Sequence, residues 1–332
     1  MTIAAVFVCA VLAGCTHGNT TAAASPPKQE PVAAQPAIPD PGSIEPLAKL
    51  SGDEAMQYAR QIVAFGPRWP GNPAHRKVEQ YILDHLKGVE VEQDRFTAQT
   101  NAGPFPMNNI IAKFPGEKDG IVVLASHYET NWPLRNTSFI GANDGAATSA
   151  LLLEIAAKLR SRGLPGYAVW LVWDDGEESF HEPVSNWVVE DALYGTRHLA
   201  QKWQQDGTAK RIKALMVLDM IGDKDLDIQR DSNSTPWLED LVYKASSKFG
   251  YQSHFFATET QVEDDHMPFA KIGVPVADVI DLNYGYNGAY HHTTEDTLDK
   301  ISGRSLQIAG DTVMEAIAML NRCEMCNVKS GK

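Results

Sequence analysis

Residues 168–178 read Ala168-Val169-Trp170-Leu171-Val172-Trp173-Asp174-Asp175-Gly176-Glu177-Glu178. The apolar run Ala168–Trp173, rich in β-branched and aromatic side chains, predicts a strand buried on both faces. It then breaks at once into carboxylates set around a glycine. A buried strand that ends this way delivers charge to its carboxyl end, which is where open parallel sheets bind ligands.

The same pattern recurs on both sides of this stretch. Ile121–Ser126 is an apolar run followed by His127, and Ala214–Leu218 is one followed by Asp219. Val274–Ile280 leads to a loop that holds His291 and His292, and Asn109–Phe114 reads as a further strand. Helices are predicted between them over Asp53–Ala64, Asn72–Lys87, Ala146–Arg160, Asp191–Gln205, Thr235–Phe249 and Ser305–Asn321. Ser51 or Gly52 and Asn72 are the expected caps. The Ala146 helix is clearest, with Leu151, Leu152, Ile155 and Leu159 at helical spacing. Strands alternating with helices predict a single three-layer α/β domain, its central sheet mixed but mostly parallel and flanked by helices.

Composition narrows the function. The chain has 332 residues, 43% hydrophobic and 21% charged, as expected of a folded globular body. Its 29 Lys and Arg against 42 Asp and Glu leave a net charge of −13. Such a surface repels phosphate backbones and offers no polybasic face to a membrane, so a nucleic-acid partner is not expected.

The N-terminus reads as an address. Met1–Gly14 is predominantly apolar and shorter than the ~20 residues a membrane span takes, which fits the apolar region of an export signal. It closes in Leu12-Ala13-Gly14-Cys15, which resembles the lipobox of bacterial lipoproteins. That resemblance implies cleavage before Cys15, lipid on its sulfur, and a lipid-anchored protein of the bacterial cell envelope. Thr16–Pro41 is rich in Ala, Pro, Thr and Ser and suits a disordered tether. The expected division is a signal segment over 1–15, a tether over 16–45 and a catalytic domain over 46–332. Cys323 and Cys326 form a lone C-x-x-C, which cannot supply four metal ligands; it reads as a terminal disulfide or two free thiols.

Five distant segments thus send carboxylates and imidazoles to one rim. Asp144, Glu178 and His292 are the expected ligands of a zinc ion with its fourth position open, and Glu177 the base beside it. Singly, each has a plainer reading: an Asp before a helix is usually a cap, and paired Glu or His residues usually face solvent. Their joint placement carries the argument.

Several stretches then carry a resemblance. They are Ser126-His127-Tyr128, Gly141-Ala142-Asn143-Asp144, Asp174-Asp175-Gly176-Glu177-Glu178, Leu193–Ala200, Leu218-Asp219-Met220-Ile221-Gly222, Asp264-Asp265-His266-Met267-Pro268-Phe269 and His292-Thr293. Together they resemble the zinc aminopeptidase superfamily and, within it, the animal-type zinc-dependent glutaminyl-peptide cyclotransferases. The resemblance implies zinc at Asp144, Glu178 and His292, and a proton shuttle at Glu177. It also implies supporting carboxylates at Asp219 and Asp264, and a pocket wall at Trp187. The expected substrate is a peptide or protein with a free N-terminal Gln, closed to pyroglutamate with release of ammonia. An aminopeptidase remains the alternative; it would place a second ion on His127 and Asp219 with Asp144 bridging. A non-catalytic peptide-binding lipoprotein is a further alternative. The chain departs from the cyclase pattern at Glu129 (Asp), Gly145 (Ser), Asp278 (His) and His291 (Trp), and Ser126 takes one position of the animal cysteine pair.

Overall fold

The computed structural model describes Ile38, Asp40, residues 49–160 and residues 164–322. The four cysteines, the signal segment and most of the expected tether lie outside the described residues.

The elements run, in chain order, α1 (Gly52–Ala64), α2 (Pro73–His85), β1 (Glu90–Thr100), β2 (Gly103–Phe114), β3 (Gly116–His127), α3 (Thr148–Arg160), β4 (Leu164–Asp174) and α4 (Tyr194–Asp206). Then follow β5 (Ile212–Asp219), β6 (Ile228–Asp231), α5 (Pro236–Ser246), β7 (Phe255–Thr260), α6 (Met267–Ala270), β8 (Val276–Ile280) and α7 (Gly303–Arg322). The caps behave as expected. Ser51 Oγ accepts from Glu54 N at 3.2 Å, and Asn72 Oδ1 accepts from Ala74 N at 2.8 Å ahead of Pro73.

The main sheet has the order β1-β2-β4-β3-β5-β8. Strands β4, β3, β5 and β8 are parallel, while β1 and β2 add antiparallel at one side. Beyond the exposed first four residues of β3, strands β3, β5 and β8 are buried along nearly their whole length, because helices cover both faces. Helices α1, α3, α5 and α7 pack on one face around Leu151, Ile155, Leu238, Val313 and Ile317. On the other face, Leu199 and Trp203 of α4 and Phe269 of α6 cover Val123, Ala125, Leu215 and Val217. The expected mixed, mostly parallel three-layer domain is therefore found.

Three differences from the sequence reading have physical causes. Strand β1 is missing from it because Glu90–Thr100 carries charge and no apolar run; as an edge strand it exposes most of its length. The β6–β7 ribbon escapes notice because β7 is largely exposed. The α3 helix begins at Thr148 rather than Ala146, since residues 142–147 form a wide turn of their own, kinked at Asp144 (φ −81°, ψ 95°) and Gly145 (φ 84°), in which Ala146 N donates to Gly141 O at 3.3 Å.

Register sets the rim. His127 lies opposite Asp174, and Asp219 opposite Ile280. Ala125 pairs with Val217, so two residues further on His127 comes level with Asp219.

Helices α1 and α7 meet at their first residues. A Cβ on Gly52 would lie 1.8 Å from the Gly303 carbonyl oxygen and 2.5 Å from its carbon. Backbone cannot yield as a side chain does, so Gly52→Ala is expected to destabilise the domain by ~1–3 kcal/mol. A fall in the urea midpoint checks this.

Candidate active site

The site is built on a kinked segment before α3. Residues 142–147 form a wide turn entered through Gly141 at φ 51°. Asp296 holds it in place: its Oδ1 accepts from Asn143 N at 2.8 Å and its Oδ2 from Asp144 N at 3.2 Å. Asn143 then ties this turn to the end of β5, donating to Met220 O at 2.8 Å and accepting from Gly222 N at 2.7 Å. Gly145 has no room for the serine of the resembled cyclases. A Cβ there would lie 2.8 Å from Glu129 O and 3.0 Å from His127 Cε1.

Beneath this turn lies Arg68, wholly buried. Its guanidinium donates to Tyr128 O (2.7 Å), Gly141 O (2.8 Å), Asp144 O (2.9 Å) and Ile140 O. Burial lowers its proton affinity, and the Asp144 and Asp296 carboxylates limit the fall, leaving it at about 10. It remains a cation beneath an acidic site.

The Gly176-Glu177-Glu178 turn is held from both sides. Tyr194 N donates to Gly176 O at 2.7 Å and Leu193 N to Glu177 O at 2.9 Å. This is what the Leu193–Ala200 stretch does: Leu193, at φ 55°, opens α4 against the turn. On the other side Asp175 accepts from Asn108 N (2.8 Å) and Tyr128 Oη (3.0 Å), and meets His75 Nε2 at 2.9 Å. His75 Nδ1 in turn faces Glu79 at 3.3 Å.

The expected ligands come together. His292 Nε2 is 3.0 Å from Glu178 Oε2 and 3.4 Å from Asp144 Oδ2. Asn131 Nδ2 donates to Glu178 Oε2 at 2.6 Å. The other oxygen of Asp144 faces His127 Nε2 at 3.1 Å, and the same nitrogen is 3.4 Å from Asp219. Donor atoms of His127, Asp144 and Asp219 all lie within 4.8 Å of one another. His292 (φ 52°) and Met220 (φ 49°) are both left-handed, so backbone strain gathers at this rim. Glu177, Asp264 and Trp187 line the same cavity of about 560 Å³, with Val262, Ile280 and Leu282 as apolar wall. Among the departures, Glu129 Oε1 accepts from Glu178 N at 3.2 Å. Asp278 lies away from the cavity lining, 3.5 Å from a His266 that also faces Asp231 at 3.1 Å.

Electrostatics argue for a cation here. Asp144 is drawn well below the carboxylate range, because His127 and His292 outweigh its burial. His292 is pushed up to about 9: burial opposes its charge, but Glu178 and Asp144 prevail. His127 rises likewise, through Asp144 and Asp219. The imidazoles are thus held as counter-charges to an acidic cluster, the role a divalent ion fills. Asp144 Oδ2, Asp219 Oδ1 and both His127 ring nitrogens lack hydrogen-bond partners among the described residues. Oxygen and imidazole donors left open in this way fit zinc. Burial, then Glu178 and Asp264, push Glu177 well above the usual carboxylate range.

The fold and this rim define a metallo-exopeptidase-like enzyme. The description of peptidase family M28 matches residues 109–317, and the chain belongs to that family. Within it, the chain is similar to the glutaminyl cyclase of an Acidobacteriales bacterium, at 52% identity over 87% of this chain and 99% of that one, with a TM-score of 0.81. The glutaminyl-peptide cyclotransferase of Drosophila melanogaster is 29% identical over 262 residues, 71% of this chain and 72% of that protein. A Zn-dependent exopeptidase from Parabacteroides distasonis has a TM-score of 0.71 at 26% identity, covering 85% of this chain and 99% of that one.

The side chains that brace this rim carry no signal in the sequence. Arg68 sits in Gly66-Pro67-Arg68-Trp69-Pro70-Gly71, which reads as a surface turn. Asn131, Asp296 and His75 give no local signal, since only the fold shows them buried against the site.

His75 yields a prediction. Burial works against its charge, but Asp175 and then Glu79 push it up to about 10. A His raised above its unfolded value contributes stability fully below ~6.5, and loses it as pH rises through the folded value. His75→Ala should therefore cost ~3–5 kcal/mol at pH 6, as for one partner of a buried pair. Urea melts of both proteins should show the gap narrowing towards pH 10.

Proposed function

We propose that this chain is a glutaminyl-peptide cyclotransferase, an enzyme that closes the N-terminal Gln of peptides to pyroglutamate. The observation that carries the reading is Glu177 placed beside the Asp144–Glu178–His292 cluster, in a chain 52% identical to a glutaminyl cyclase along nearly that protein's whole length.

The cavity suits one residue at a peptide's N-terminus. Trp187, Ile280 and Leu282 offer apolar walls, and Glu263 and Asp264 favour an α-ammonium group. Asp144, Glu178 and His292 would hold the zinc, which when bound polarises the γ-carbonyl of the glutamine. Cyclisation is intramolecular, so the pocket's main task is to hold the folded conformer of the side chain. The α-nitrogen bonds to the γ-carbonyl carbon. Glu177 takes a proton from that nitrogen and returns one to the departing amide nitrogen, which leaves as ammonia. Its raised proton affinity makes it a stronger base than an ordinary carboxylate. Asp264, beside Asp219 and Glu177, is itself pushed well above the carboxylate range by burial and by Asp265, so it favours a proton on this side of the cavity.

A second reading has one specific observation in its favour. Asp144 turns its two oxygens to different imidazoles, and His127 and Asp219 complete a second cluster. An ion there as well would suit an aminopeptidase, which needs an activated water. Product and stoichiometry separate the two. One zinc per chain, with ammonia released from a Gln-initiated dipeptide and no chain cleavage, supports the cyclase; two ions and a freed amino acid support the peptidase.

Glu177→Gln should lower turnover by at least ~10²-fold while zinc still binds. A rate near wild type would remove Glu177 from the mechanism. Glu178→Ala should lose stoichiometric zinc.

The address rests on sequence alone: residues 1–15 as signal, 16–45 as tether, and lipid on Cys15 in the bacterial envelope. Within the stretch read as tether, Asp40 lies 2.7 Å from Lys244 of α5. Cys15→Ser should move the enzyme from the membrane fraction to the soluble one; unchanged fractionation would argue against the anchor.

A further inference from the structure

One imidazole in the cavity is left unused by the mechanism above. His291 lines the pocket beside His292. The two rings lie 3.9 Å apart, centroid to centroid. In extended backbone, consecutive side chains point to opposite sides. Here His292 stands at φ 52°, and this left-handed turn brings both rings to the same cavity. A donor nitrogen of His291, a donor nitrogen of His292 and an oxygen of Asp144 all lie within 4.8 Å of one another.

The surroundings of His291 leave that nitrogen open. Among the described residues, its side chain has no hydrogen bond or ion pair; its backbone N–H donates to Gly288 O at 3.1 Å. The half-buried ring lines the cavity, so its nitrogens are open to whatever occupies it. Neutral imidazole is the commonest metal ligand among side chains, and zinc takes it readily.

We propose that His291 is a further, exchangeable ligand of the ion held by Asp144, Glu178 and His292. This rests on the metal assignment made above. Zinc favours four donors, and in a catalytic site one position must be free for the substrate. With zinc bound, the His291 imidazole would be a fourth protein donor beside Asp144, Glu178 and His292, and the position it takes is the one a substrate carbonyl would need.

The test is zinc affinity, read by competition with a chromophoric chelator, on wild type, His291→Phe, His291→Gln and His292→Phe. Both His291 variants should bind zinc at least ~10-fold more weakly, the lower end of what even an indirect partner of a metal ligand contributes. Cobalt-substituted His291→Phe should also show an altered visible spectrum without substrate. Circular dichroism confirms folding, and if the Phe variant is misfolded the Gln variant carries the test. If His292→Phe loses zinc while the His291 variants match wild type in affinity and in cobalt spectrum, His291 is not a ligand and the site assignment stands. If His292→Phe keeps full affinity, the assignment itself fails.

Discussion

A carboxylate shut away from water must be met by positive charge or by donors. The carboxylate of Asp144 is met by imidazoles, and its backbone is pinned on both sides. Its two oxygens face His127 and His292, its amide is held by Asp296, and its carbonyl accepts from Arg68. The kinked turn, the placement of Glu178 through His292, and the link to β5 through Asn143 all converge on this residue. The charges around it balance only when imidazolium or a metal supplies what Arg68 alone does not.

The strain of the site follows from the same demand. Regular strands would point alternate side chains away from the cavity. Left-handed residues at Met220, Leu193 and His292 instead turn the chain just past β5, ahead of α4 and in the last loop. Such conformations cost free energy and persist where packing over-determines them. Here the tight contacts are with backbone: Asn143 grips Met220 and Gly222, and the Gly176 and Glu177 carbonyls are held by α4.

What could be read from the sequence follows these physical lines. Strands β3, β4, β5 and β8 are legible because burial on both faces writes them as unbroken apolar runs. Strand β1 is not, since an edge strand needs no such run. Asp144, Glu177, Glu178 and His292 are legible because each follows or precedes a clear element, and the cavity does gather them. Arg68, Asn131 and Asp296 are illegible, because their partners are backbone groups or side chains from distant segments and nothing local marks them as buried. Gly145 looks like a mere departure until its positive φ and the nearness of the Glu129 carbonyl give a reason for it.

The Arg68 contacts also bear on what counts as the smallest working piece of this chain. The stretch that matches peptidase family M28 begins at residue 109. Yet the carbonyls of Tyr128, Ile140, Gly141 and Asp144 are satisfied from residue 68, and the acidic turn is braced from residue 75. A fragment cut at the family boundary would keep every proposed ligand while stranding those acceptors without their donor. The loop between α1 and α2, and the first turn of α2, thus brace the site, although neither sends a side chain into the pocket lining.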